Sequence, residues 1–202
     1  MSEKRDEILF FPGEIGERAL RARLIAGEDA AYRDCYQLYA QKLMRLLMSI
    51  LHNKARAEEI LQDTFIAAFR SVGRFRGDVS LVGWLGRIAT NRAYNAIRDE
   101  SRQKRTAPQP GEIAVSRFEP QVEGRDLARK VIGILDQMDP AKKLALLLQA
   151  EGYSVAEIAE ISAEPRGTIL ARLSRSRAEL SLRMAEAGLV TREHLTSVEK
   201  HP

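Results

Sequence analysis

Nowhere along these 202 residues do apolar and polar side chains alternate convincingly, as a half-buried strand requires; where apolar residues recur, they recur at three and four. From Asp29 to Leu51 that spacing runs through Tyr32, Cys35, Tyr36, Tyr39, Leu43, Leu46, Leu47 and Ile50. After a break at His52-Asn53-Lys54, a second helical pattern extends from Ala57 to about Val72, and Gly73 closes it. Arg74 to Ser80, with Gly77 and Asp78, reads as a loop before a third helix from about Leu81 to Ser101. The fold class this predicts is all-α, two small helical domains joined by a flexible linker.

The linker is marked by composition. Thr106 to Val122 holds Pro108, Pro110, Gly111 and Pro120 and shows no sustained periodicity. Downstream, Leu127, Val131, Ile134, Leu135 and Met138 predict one helix, and Asp139-Pro140 caps the next. Leu144, Leu147 and Leu148 give that next helix a buried face before Gly152 ends it. The expected organisation is an extension over 1–25, a first domain over 26–104, a linker over 105–123, a second domain over 124–187 and a tail over 188–202.

Glu151 to Leu180 looks like two short helices joined by a tight turn, the second one basic. Ser154 and Glu157 make a capping box before Val155, Ile158, Ala159 and Ile161, and Pro165 is tolerated in the first turn of a second helix. Ile169, Leu173 and Leu180 share one face of that helix, leaving Arg166, Thr168, Leu170, Ala171, Arg172, Ser174 and Arg175 outward. This is a helix-turn-helix pattern whose outer face suits a major groove. The same pattern also fits a plain helical hairpin with a solvated basic side.

Charge supports a polyanionic partner through its distribution more than its total. The net charge is only +4, yet Ile66 to Arg105 holds nine Lys/Arg against three Asp/Glu, and Arg166 to Arg183 holds five against one. Within the third helix, Trp84, Arg87, Asn91, Asn95 and Arg98 are spaced by three, four, four and three, so they share a face. Leu85, Ile88, Ala89, Ala96 and Ile97 are expected on the other side. One large aromatic, two amides and two guanidiniums suit opened DNA, whose bases can be stacked, read at their edges and held by their phosphates. The preceding loop from Arg76 to Ser80 can receive an extruded base, with Asp78 and Ser80 offering hydrogen bonds. A core Trp84 beside a solvated polar face fits the same spacing.

Other chemistries find little support. The lone Cys35 allows no disulfide framework or cysteine zinc site, and His52, His194 and His201 lack metal spacing. No phosphate loop or catalytic constellation is present, so neither an enzyme, a cofactor nor a small-molecule substrate is expected. The N-terminus lacks a signal peptide's apolar run, and no segment approaches the roughly 20 apolar residues that span a bilayer, so a cytoplasmic protein is expected.

Phe75 to Arg98, FRGDVSLVGWLGRIATNRAYNAIR, resembles the promoter-melting segment of bacterial extracytoplasmic-function sigma factors, the compact group of the sigma-70 family. AGEDAAYRDCYQLYAQKLMRLL resembles that family's first helix and ARAEEILQDTFIAAFRSVGRF its core-polymerase-binding helix. EGYSVAEIAEISAEPRGTILARLSRSRAEL resembles its minus-35-reading motif. The match runs from about Ala26 to Arg183 in the family's order.

The resemblance implies a sigma factor that binds RNA polymerase core, at the clamp coiled coil of beta-prime and the flap of beta, and directs it to promoter DNA. An anti-sigma factor is an implied further partner. Gln62, Asp63, Phe65, Ile66 and Phe69 match the core-binding positions, and since Phe65 and Phe69 cannot both be fully buried, at least one is expected to face a partner. Asp78, Ser80, Trp84, Asn91 and Asn95 match positions that capture or read the minus-10 strand, while Arg74, Arg76, Arg87, Arg92 and Arg98 are expected to hold backbone. The chain departs from the family at Leu170 and Ala171, where Arg or Lys then Ser is common, and at Ala163, where glycine is common. Leucine and alanine cannot donate to base edges but can touch thymine methyls. Two readings outside this family remain: a dimeric helix-turn-helix regulator and a helical interaction protein.

Overall fold

The computed structural model describes residues 14–106 and 125–190, so most of the linker and most of the tail lie outside the described residues. Every regular element among them is helical: α1 (Glu14–Ile25), α2 (Asp29–Leu51), α3 (Lys54–Ser71), α4 (Leu81–Thr106), α5 (Arg125–Asp136), α6 (Pro140–Ala150), α7 (Val155–Ser162) and α8 (Arg166–Glu186). The helices fall into two compact units, α1 to α4 in the first and α5 to α8 in the second, save that residues 160–163 group with the first.

In the first unit α2, α3 and α4 pack around a seam of leucines and small residues. Leu43, Leu46, Leu47, Leu81, Leu85, Ala57, Ala68, Ala89 and Ala93 are all fully buried. His52 ends α2 in a left-handed conformation with φ 51, and the Asn53 side chain caps α3 by accepting from Arg56 N–H at 3.0 Å. Cys35 is buried in α2, and desolvation pushes its thiol up to about 12, which makes it an inert packing residue. Two residues expected inside are not: Tyr36 is 46% exposed and Ile97 is 37% exposed. Both lie at the margin of an apolar stripe, where three-and-four spacing drifts round the helix.

The extension before Ala26 carries no assigned structure on its sequence; residues 14–25 instead form α1 and pack on α2. Leu20 and Leu24, one turn apart, are buried at 3% and 1%. Arg23 ties α1 to the start of α2, bonding Glu28 and Asp34 at 2.9 Å each. On another side of α1 the Glu17 carboxylate accepts from the Leu81 N–H, one of the unpaired donors at the start of α4. Ser80 caps the same end, its Oγ accepting from Gly83 N–H at 3.0 Å. Arg21, also on α1, lies against Gly77 in the loop before α4, where a Cβ would run into its guanidinium.

In the second unit Asp139 caps α6 by accepting from Ala141 and Lys142 N–H, with Pro140 at the first position. The Ser154–Glu157 capping box forms at α7, with reciprocal bonds of 2.7 and 3.2 Å. Leu148, Ile158, Ile169 and Leu173 are buried, whereas Leu180 is only half-buried. Lys142 of α6 and Arg183 of α8 both bond Glu179 at 2.8 Å, which holds that carboxyl below its ordinary range. α7 ends through a left-handed Ala163 with φ 56, the Ala163 and Glu164 N–H groups returning to the carbonyls of Glu160 and Ala159.

Two left-handed positions therefore carry opposite residues, glycine at 77 with φ 76 and alanine at 163. Gly77→Ala should lower stability by about 1–2 kcal/mol. Ala163→Gly should raise it by about 0.5–1 kcal/mol, the relieved strain exceeding the added freedom of the unfolded chain. Urea unfolding of the full chain, followed by circular dichroism, checks both signs.

Candidate nucleic-acid interface

The first candidate surface is one side of α4 with the loop that precedes it. Arg87, Asn91, Asn95 and Arg98 are exposed in a continuous stripe, while Leu85, Ala89, Ala93 and Ala96 are buried on the opposite side. Alanines at the packed positions let α4 approach its neighbours closely, so its outer half is left for other contacts. Arg98 donates to the Asn95 side-chain oxygen at 2.6 Å, which engages that amide's acceptor.

Trp84 begins this stripe and is neither free nor simply core. Its indole stacks on the Phe75 ring, with centroids 4.6 Å apart and planes 15° from parallel. The Arg21 guanidinium lies over the Phe75 ring at 5.4 Å from its centroid. Phe75 itself is 7% exposed. A rigid aromatic platform thus stands at the mouth of the Arg76–Ser80 loop, with Arg76 and Asp78 exposed beside it. Glu17, Arg21 and Phe75 were not among the residues singled out from sequence. Their roles come from contacts across dozens of residues, which leave no periodic trace.

Arg92 lies at the edge of the stripe and is half-buried. Its guanidinium reaches Asp63 of α3 at 3.4 Å, so one residue expected to hold DNA and one expected to bind polymerase are ion-paired. The other α3 residues separate by burial. Gln62 and Ile66 are exposed, Ile66 at 48%, and Phe69 is half-buried, its ring edge-on to Tyr32 at 4.7 Å. Phe65 is a core residue at 4% exposure, packed against Tyr36 and Phe69 at 4.9 and 5.6 Å. It supports this surface from beneath rather than meeting a partner directly. Tyr36 joins the exposed patch from α2, a position its helical spacing had placed in the core.

The second candidate surface is α8. Arg166, Thr168, Leu170, Ala171, Ser174 and Arg175 are all exposed, and Leu170 presents 56% of its surface. Arg175 is held along the helix by a 3.1 Å bond from its Nε to the Ala171 carbonyl. Arg172 differs from the other six. Its guanidinium forms a two-pronged pair with Glu164 in the turn, at 2.7 and 2.6 Å, and this holds the Glu164 carboxyl below its ordinary range.

Both surfaces expose arginines beside uncharged polar side chains. Among the described residues no group of His, Cys, Asp and Glu is arranged to hold a metal, and no helix is long and apolar enough to cross a membrane. Residues 35–103 match the family model for Sigma-70 region 2, a span that runs from within α2 through most of α4.

Along the sequence the chain is 29% identical over 168 residues to the extracytoplasmic-function RNA polymerase sigma factor SigM of Mycobacterium tuberculosis, covering 83% of this chain and 84% of that protein. It is 28% identical over 176 residues to the sigma-E factor of Haemophilus influenzae, covering 81% and 93%. Among solved structures it is similar in fold to CnrH, determined in complex with the cytosolic domain of CnrY, at a TM-score of 0.64 and 21% identity over 84% of this chain and 97% of that one. Residues 35–103 thus carry Sigma-70 region 2, and over about four-fifths of its length the chain is similar to extracytoplasmic-function RNA polymerase sigma factors.

Proposed function

We propose that this chain selects promoters by two separate readings, of single-stranded minus-10 DNA by α4 and its preceding loop and of minus-35 duplex by α8. The observation that carries this is the α4 surface. Trp84 is held as a platform on Phe75, and Arg87, Asn91, Asn95 and Arg98 continue from it as one exposed stripe. Stacking on such a platform is worth about 1–3 kcal/mol per base, enough to offset unstacking when amides and guanidiniums hold the displaced strand. A dimeric duplex-DNA regulator has no use for this combination. The basic side of α8 then supplies duplex contact, with Arg166 and Arg175 on phosphates and Thr168 and Ser174 within reach of base edges.

RNA polymerase core binds at the patch of Tyr36, Gln62, Ile66 and Phe69, where apolar exposure and a polar rim meet on α2 and α3. CnrH was solved with CnrY, and a sigma factor RpoE of similar fold, at a TM-score of 0.54 and 23% identity, was solved with the anti-sigma factor NepR. A restraining partner of that kind accordingly belongs to the proposal for this chain too.

Run-off transcription with purified core polymerase and a genomic promoter library tests the whole reading. Promoter-specific starts that depend on this chain are expected; tight duplex binding without polymerase, and no starts with it, would support the dimeric regulator instead. On the promoters so found, Asn91→Ala and Asn95→Ala should alter minus-10 base preference by about tenfold and leave core binding intact. A uniform loss over a base-substituted panel would show that these amides read no base. At the minus-35 element, replacing thymine with uracil removes a methyl that Leu170 or Ala171 touches and should weaken binding about threefold to fourfold for each one.

A further inference from the structure

We propose that Arg172 is a positioning residue of α8 rather than one of its DNA contacts, and that Glu164 decides what α8 reads by holding Arg172 in the turn. This rests on the reading of α8 as the minus-35 helix. Of the seven α8 residues that spacing turns outward, six are exposed and Arg172 alone is not, its side chain being 18% accessible. Both carboxylate oxygens of Glu164 are engaged, one by each terminal nitrogen of the guanidinium. Such a fork fixes the plane of the arginine as well as its distance.

The turn has need of a tie. Its left-handed residue is Ala163 rather than glycine, and Pro165 at the head of α8 offers no side-chain cap. Glu164 lies between them and reaches eight residues forward to Arg172.

To touch a phosphate, Arg172 would have to leave Glu164 and expose a bare carboxylate beside the DNA backbone, so the gain of one attraction brings one repulsion. With Arg172 retained, Arg166, Thr168, Leu170, Ala171, Ser174 and Arg175 form the reading set. Two guanidiniums and apolar contact then remain where three guanidiniums stood on sequence alone.

The test uses the full-length chain with core polymerase and a duplex pool randomised over the upstream element, followed by salt titration on the duplex retained. If the pair is a tie, Arg172→Ala weakens binding more than the Glu164→Ala/Arg172→Ala double variant does, because the single change leaves the carboxylate uncovered. The double variant keeps the wild-type dependence of binding on salt, and Arg172→Lys, which keeps the charge and loses the fork, binds as poorly as Arg172→Ala.

If Arg172 holds phosphate in the wild-type chain, the logarithmic salt slope of the double variant falls by about 0.9 and lysine substitutes well; either of these overturns the proposal. Amide hydrogen exchange over residues 160–173 of the free full-length chain decides the tie without DNA. Either single substitution to alanine should speed exchange about fivefold and the double no further, whereas additive effects would show no coupling. A wild-type chain that retains no sequence from the pool defeats the minus-35 reading, and the exchange result still stands or falls alone.

Discussion

Each helix of this protein has one circumference to divide between its own core and its ligand, and the seam of α2, α3 and α4 settles that division. Leu81 and Leu85 anchor α4 beside Leu43, Leu46 and Leu47, and Ala89 and Ala93 continue the contact with side chains too small to spread sideways. Close packing by small residues confines burial to a narrow strip. What remains is a wide outer face with Arg87, Asn91, Asn95 and Arg98 held on a rigid rod, so their mutual spacing is set by the helix and not by side-chain choice. α8 solves the same problem with Ile169 and Leu173 inside and the basic face outside.

Much of this was legible in the sequence because it is local. The bounds of α2, the caps at Asp139 and Ser154, and the outward face of α8 save for Arg172 follow from spacing and capping within a few residues, and the structure reproduces them. The left-handed Ala163 stands where the family resemblance had placed a glycine, which explains in backbone terms why glycine is common there. α1 escaped because two leucines one turn apart are too few to show a period. Its worth lies in Glu17 meeting Leu81 and Arg21 meeting Phe75, more than fifty residues away.

The same distinction separates the site residues. Asn91 and Asn95 could be placed on one exposed face because they repeat along one helix, whereas Phe75 was passed over because stacking partners obey no period. Tyr36 and Phe65 exchanged places for a related reason. Both carry rings on neighbouring faces, and which ring turns inward is decided by packing against Phe69 and Tyr32 and not by hydropathy. Arg172 was counted with its neighbours because periodicity sees the direction of a side chain and is blind to a carboxylate waiting in the turn.

The stack of Trp84 on Phe75 has a practical side. Trp84 is the sole tryptophan of the chain, and it sits between the exposed stripe of α4 and the loop that α1 holds in place. Its ultraviolet emission therefore reports on one spot, with no second indole to dilute it and no attached dye. Arrival of a base on the indole, or withdrawal of Phe75 beneath it, would change the surroundings of that single fluorophore, so the proposed strand capture can be timed in the unlabelled protein.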